Sequence, residues 1–162
     1  MGQAGTFYMR SDTTKGLLAQ TDPKSGKLVK FYEIEGCHPH SLSIVTDQTI
    51  FMGCSNSHGP TPKPGGDMAI FDIATGKVES SSTGLGGNGG STTNPKLGLY
   101  YHATTTAAVV VVNINTKTLV QKLPTSVEAR SLDVSLANGR IYLATTANNG
   151  PCGGCIQVFA PE

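Results

Sequence analysis

One six-residue segment occurs three times in this 162-residue chain, and it constrains the fold more than any other feature. The copies are Asp22-Pro-Lys-Ser-Gly-Lys27, Asp72-Ile-Ala-Thr-Gly-Lys77 and Asn113-Ile-Asn-Thr-Lys-Thr118. An Asp or Asn side chain accepts hydrogen bonds from backbone N–H groups two residues further on, and glycine adopts positive φ without steric cost. Each copy therefore predicts a tight turn between antiparallel strands. Because Lys117 replaces the glycine in the third copy, we expect that turn to differ or to be strained.

The rest of the sequence predicts strands and essentially no helix. No segment has a helical period, and residues 41–45 alternate apolar and polar side chains as a half-buried strand does. Pro39 is expected to break pairing in a loop over 35–40. Three prolines within residues 58–66 exclude regular pairing there. The predicted strands cover 5–12, 16–22, 27–34, 41–45, 49–55, 67–73, 77–83, a weak segment up to Asn94, 97–104, 108–115, 119–124, 129–136, 139–147 and 155–160.

The spacing of the turns predicts repeated four-stranded units. The copies begin 50 and 41 residues apart, and the longer interval contains the proline-rich loop. Ile50-Phe51, Leu99-Tyr100 and Ile141-Tyr142 are predicted to hold equivalent places in the second strand of a unit. Four strands in every ~40 residues is the pattern of β-propeller blades. A β-sandwich is the alternative, but it does not require the same turn at the same offset.

The predicted fold class is therefore all-β, with about 3.5 to 4 propeller blades of four antiparallel strands each. The predicted blades are a partial one over 5–34, full ones over 39–83 and 87–124, and a partial one over 129–160. Together they form a single partial propeller over 1–162. We expect the first blade to lack its innermost strand and the last to lack its outermost.

Several segments also resemble a known family. They are Asp22-Pro-Lys-Ser-Gly-Lys27, Gly36-Cys-His-Pro-His-Ser-Leu42, Phe51-Met-Gly-Cys-Ser-Asn56, Asp72-Ile-Ala-Thr-Gly-Lys77, Asn94-Pro-Lys-Leu-Gly-Leu-Tyr100, Gly139-Arg-Ile-Tyr142 and the closing segment 150–160. Over nearly its whole length the chain resembles the C-terminal half of a bacterial seven-bladed β-propeller of the YVTN/lactonase-like type. Complete members of that family are roughly twice as long. The resemblance therefore implies either self-association that completes a ring or a missing half in another chain, and we favour self-association.

Composition and charge exclude some classes of function. Charged residues make up 14% of the chain, and 20 residues are glycine, which fits a sheet protein with many turns. A formal charge of +1 gives no basic patch for nucleic acid. No run of 18 apolar residues predicts a transmembrane helix. The start, Met1-Gly-Gln-Ala-Gly5, lacks the pattern of a signal peptide, although one could have been removed from a longer chain.

The four cysteines leave three disulfide pairings open. Cys37 precedes one predicted strand and Cys54 ends the next, so antiparallel neighbours could bring them together. Cys152-Gly-Gly-Cys155 could form a local disulfide, a redox pair or half of a metal site. A redox pair at this spacing normally opens a helix, which is not predicted here, so we favour a structural disulfide. The cysteines and the family resemblance together indicate a periplasmic or secreted protein.

Two histidines are candidates for a ligand site at the central channel of a propeller. His38 and His40 flank Pro39 in the loop that leads into an inner strand. Two imidazoles near the axis could bind a metal or act as a base. The alternative is that one packs at the start of the strand and the other is solvated. His58 and His102 are interpreted instead as a surface and a strand-face residue.

Four further candidates lie in predicted inner segments. Glu128 and Arg130 could orient an anionic ligand, or pair with each other. Asn88 and Asn94 flank a glycine-rich segment whose N–H groups could cradle an anion, or whose glycines could fit a crowded channel. The family usually has bulkier or acidic residues where this chain has Gly89-Gly90-Ser91-Thr92-Thr93, which weakens any inference of activity from the resemblance.

The sequence favours a non-enzymatic binding or scaffold propeller that engages a small ligand or a protein through the top face of its channel. The alternative is a lactonase-like hydrolase in which a channel histidine activates water, with a divalent metal as the one cofactor to consider. A third interpretation is one half of a larger propeller with no activity of its own. No Ser-His-Asp spacing or nucleophile elbow is present, so no catalytic residue is assigned. Neither nucleic acid nor a membrane is an expected partner.

Overall fold

All regular structure in the described part of the chain is β-strand. The computed structural model describes residues 6–11, 16–55, 68–82, 85, 88–104, 106–125, 129–145 and 154–160. The strands are β1 (Thr6–Ser11), β2 (Gly16–Thr21), β3 (Leu28–Ile34), β4 (Pro39–Thr46), β5 (Thr49–Cys54), β6 (Met68–Asp72), β7 (Lys77–Ser82), β8 (Asn88–Asn94), β9 (Leu99–Thr104), β10 (Ala108–Asn113), β11 (Leu119–Pro124), β12 (Ala129–Val134), β13 (Ile141–Thr145) and β14 (Ile156–Phe159).

These strands form four antiparallel sheets. The first sheet has the order β1-β2-β3 and the second β4-β5-β6-β7; the third has β8-β9-β10-β11 and the fourth β12-β13-β14. Each strand pairs with its neighbours along the chain, as hairpins require. The chain divides into two compact units, Met1–Gly84 and Leu85–Glu162, with two sheets in each. The predicted all-β fold class of repeated antiparallel sheets is confirmed.

The repeated turn has the same hydrogen bonds in its three copies. The N–H of the fifth residue donates to the carbonyl oxygen of the first at 2.8 Å in the copy that begins at Asp22 and at 2.9 Å in those that begin at Asp72 and Asn113. The side-chain oxygen of the first residue accepts from N–H groups two or three residues on, at 2.9 Å from Lys24 and 2.7 Å from Thr75. The bonds from Lys24 N–H and the Ser25 hydroxyl hold the pKa of Asp22 below its usual value. The local chemistry of the first residue therefore builds each hairpin.

The third copy is strained rather than different. Lys117 has φ of 59°, close to the 66° of Gly26 and the 70° of Gly76. A lysine held in the left-handed region costs about 1–2 kcal/mol. Glycine would remove this strain, but part of the gain would be lost because glycine increases the conformational entropy of the unfolded chain. The turn geometry is thus kept by the hydrogen bonds of Asn113 in spite of the side chain at the fifth position.

We expect Lys117→Gly to raise the free energy of unfolding by about 0.5–1 kcal/mol, measured by urea denaturation. Gly26→Lys is the matched reverse change, because no atom lies within 4 Å of a Cβ added at Gly26. It should lower the free energy of unfolding by a similar amount. A Lys117→Gly protein no more stable than the parent would show that the turn carries no strain.

Pro39 begins β4 instead of interrupting the sheet. It stands opposite Cys54 in the ladder, with a register shift between Pro39 and Ser41. Proline lacks an N–H, but it is tolerated as the first residue of a strand. The predicted loop over 35–40 is therefore shorter than expected.

Strand pairing also shifts one of the predicted equivalences. Thr49 pairs with Asp72 in the second sheet, and Leu99 pairs with Asn113 in the third. The residue equivalent to Phe51 is therefore Tyr101, one position beyond the predicted Tyr100. The sequence did not reveal this shift, because Tyr100 and Tyr101 are both aromatic and either fits the repeat.

Each unit has its own core between its two sheets. In the first unit the cluster consists of Leu18, Tyr32, Ile34, Cys37, Ile50, Met52, Cys54, Ala69 and Phe71. In the second it consists of Tyr101, Ala103, Val109, Val111, Val134, Ile141 and Leu143. Burial of each large side chain contributes about 1.5–3 kcal/mol.

Candidate functional site

A disulfide fixes the segment that enters β4. It joins Cys37, two residues before β4, to Cys54 at the end of β5, with their Cα atoms 5.0 Å apart. The N–H of Ser55 donates to the carbonyl oxygen of His38 at 2.8 Å, which extends the same contact. Gly16 lies against this segment, because a Cβ there would overlap the carbonyl oxygen of Cys37. The start of β4 is therefore held rigidly by a covalent bond, a backbone hydrogen bond and close packing.

The two candidate histidines at this position have different environments. His38 is buried, and its Nδ1 has no hydrogen-bond partner in the structure. His40, two residues later in β4, is exposed. A register shift between Pro39 and Ser41 interrupts the regular alternation of the strand here. His40 is thus exposed to solvent, whereas His38 has a buried ring nitrogen without a hydrogen-bond partner.

The glycines of β8 fit a crowded backbone. A Cβ at Gly89 would overlap the carbonyl oxygen of Ala103 in β9. A Cβ at Gly90 would lie 3.1 Å from the carbonyl oxygen of Arg130 in β12. Glycine is used here because two neighbouring strands approach closely. The sequence left open an anion cradle or a crowded environment for these glycines, and the contacts that the structure gives are those of a crowded environment.

The same contact brings β8 and the exposed Arg130 together. Thr92 further along β8 donates to Oδ1 of Asp133 in β12 at 3.2 Å, so the two strands run side by side. Asn88 begins β8 opposite Thr104, and only its backbone position is described. The positions of Asn88 and Arg130 therefore lie at the same end of the second unit.

Asn94 lies at the other end of β8. The strand of seven residues places it roughly 20 Å from Asn88. Asn94 is buried, and its Oδ1 accepts a hydrogen bond from the N–H of Leu97 at 3.4 Å. It supports the turn into β9, so the structure does not bring it to the end where Arg130 lies.

Some predicted residues fall outside the described part of the chain. They are Glu128, Cys152 and His58. Cys155 is disulfide-bonded. In the part of the chain that the structure describes, no three His, Cys, Asp or Glu side chains are close enough to hold a metal ion. The described residues include no helix long and apolar enough to cross a membrane.

Sequence reasoning missed a buried aromatic pair in the second unit. The rings of Tyr100 and His102 are stacked, with centroids 6.2 Å apart and planes 7° apart. Both residues are buried in β9, the strand on which His102 was interpreted as a strand-face residue. Their i, i+2 spacing places both side chains on one face of the strand, and this spacing is the sequence signal that could have revealed the pair. On the opposite face, burial raises the pKa of Tyr101.

No family model and no curated protein matches the chain. Solved structures do match it. A chain of hydrazine synthase from Kuenenia stuttgartiensis superposes with a TM-score of 0.71 at 13% identity, over 99% of this chain and 44% of that one. U3-55K superposes with a TM-score of 0.70 at 16% identity, over 97% of this chain and 48% of that one.

This chain thus spans less than half the length of either neighbour. At such identities the likeness establishes the fold and not the activity. The chain has a β-propeller-type fold.

Proposed function

We propose that this protein is a non-enzymatic β-propeller scaffold that binds a small anionic ligand or a protein partner at the end of its second unit where β8 and β12 begin. In a propeller this end lies around the top of the central channel. The observation that carries the proposal is the exposed Arg130 beside the glycine segment of β8. Guanidinium groups recognise carboxylates and phosphates through paired hydrogen bonds.

The disulfide between Cys37 and Cys54 bears on where the protein is found. Structural disulfides persist in oxidising compartments, which supports a periplasmic or secreted location as part of the same proposal.

The test is a thermal-shift screen of the oxidised protein against small carboxylates, phosphates and sugar acids. For a ligand found in this way, we expect Arg130→Ala to weaken binding about tenfold or more, because a charged hydrogen bond is lost. Arg140→Ala is the matched control, since Arg140 is also exposed but lies in the turn before β13. Equal loss in the two variants, or no loss in either, would contradict a site at Arg130.

A lactonase-like hydrolase is the second candidate. The observation in its favour is the buried His38 with an unpartnered Nδ1, because a general base needs an available ring nitrogen. Hydrolysis of simple γ- and δ-lactones, followed by NMR, separates the two proposals. Turnover above the buffer rate that disappears in His38→Gln but remains in His40→Gln would support the hydrolase over the scaffold.

A further inference from the structure

In each unit the sheets pack with a fixed polarity. We call the face through which the first and third sheets pack on the next sheet the forward face, and we use the same name for the equivalent faces of the second and fourth sheets. The opposite face is the backward face. In the first unit the forward face of the first sheet packs on the backward face of the second; the residues are Leu18, Tyr32 and Ile34 against Met52, Ala69 and Phe71. In the second unit Tyr101, Val109 and Val111 of the third sheet pack in the same way on Val134, Ile141 and Leu143 of the fourth.

The forward face of the fourth sheet is apolar and exposed. Tyr142 and Val158 are cross-strand partners on it, and Ile156 is the next residue of β14 on the same side. They are 38%, 51% and 66% exposed. The polar residues of this face are Asp133 and Ser131 of β12, whereas β13 and β14 carry apolar residues where a sheet face built for solvent has polar ones.

The repeat shows what these positions do elsewhere in the chain. The equivalent cross-strand pair is Tyr101 and Val111 in the third sheet and Phe51 and Ile70 in the second. These four side chains are at most 4% exposed. The fourth sheet therefore keeps the residue types of a covered forward face while its own is open.

The backward face of the first sheet is also exposed and partly apolar. It carries Ala19 and Phe31, which are cross-strand partners, with Leu17 and its partner Glu33 beside them. Phe31 is 52% exposed. A forward face packs on a backward face in both units, so the described residues include an exposed forward face on the fourth sheet and an exposed backward face on the first.

We propose that the forward face of the fourth sheet docks on the backward face of the first sheet of a second copy of this chain. The contact repeats the polarity seen inside each unit. If a two-fold axis relates the two copies, the same contact forms twice, and the assembly closes instead of continuing into a filament. The length of the structural neighbours supports this occupant, because one copy spans only 44% and 48% of their chains. The proposal does not depend on the ligand site.

The first measurement is molar mass by light scattering on a sizing column. We expect twice the chain mass of 16.8 kDa. Val158→Lys places a charge on the forward face of the fourth sheet, and Phe31→Lys places one on the backward face of the first sheet. A charge left unpaired in a buried contact weakens association, so we expect each change to raise the dissociation constant more than about tenfold and to give single chains.

Leu97→Lys is the matched control. Leu97 is 51% exposed but lies in the turn between β8 and β9, on neither docking face, so this variant should remain dimeric. Circular dichroism and the melting temperature check that each variant folds, and Val158→Ser replaces Val158→Lys if the latter does not. A monomeric parent protein overturns the proposal. A dimer that persists in the Phe31→Lys variant also overturns it, because the two copies would then associate without the backward face of the first sheet.

Discussion

Replacing Phe71 by alanine is expected to lower the free energy of unfolding by about 3–5 kcal/mol. Phe71 is fully buried in β6, where it joins the first sheet to the second. Its ring meets Tyr32 edge to face, with centroids 5.1 Å apart and planes at 74°. The change removes this contact and leaves a cavity that two hydrogen-bonded sheets cannot collapse to fill.

Guanidinium denaturation of the oxidised protein measures the effect. Phe71→Leu is the control, because it keeps most of the volume and should cost less than about 1.5 kcal/mol. A loss below about 1 kcal/mol in Phe71→Ala would mean that the first two sheets do not share one core in solution.

The second large effect is expected from the disulfide. The paired change Cys37→Ala and Cys54→Ala should lower the free energy of unfolding by about 3 kcal/mol in the chain-entropy model, since the bond spans 17 residues. Both cysteines belong to the core of the first unit, so loss of their sulfur atoms adds a smaller packing cost.

The measurement compares the oxidised parent, the reduced parent and the double variant in the same denaturant series. The reduced parent should fall close to the double variant, because both lack the same constraint on the unfolded chain. A double variant as stable as the oxidised parent would show that the bond contributes no stability.

Local chemistry explains what the sequence could predict about the fold. The hairpin at Asp72 follows from its own side chain and from Gly76, which make the hydrogen bonds that close the turn. Equivalent local bonds close the copies at Asp22 and Asn113, which is why the repeat located the sheets. Lys117 was predicted to make its turn differ or be strained; the turn keeps its form, because the hydrogen bonds around Asn113 hold the left-handed conformation that lysine disfavours.

Contacts between strands distant in sequence explain what could not be predicted. The burial of His38 and the exposure of His40 depend on a register shift at Pro39, which has no sequence signal of its own. From the sequence alone, Gly90 could belong to a segment that cradles an anion. The structure shows instead that its space is limited by the backbone carbonyl oxygen of Arg130. The candidate site was thus predicted as a set of residue types, while its geometry depends on packing between strands.

The pairing of every described strand with its chain neighbours has a consequence for how the protein folds. Each sheet is built from strands that follow one another along the chain, so it can form without waiting for a distant segment. Stability in such an array is approximately the sum of each repeat and its nearest-neighbour interfaces, and folding can propagate from any of them. Evolution can therefore lengthen or shorten a chain of this kind by whole sheets, because neither change alters the pairing of the strands that remain.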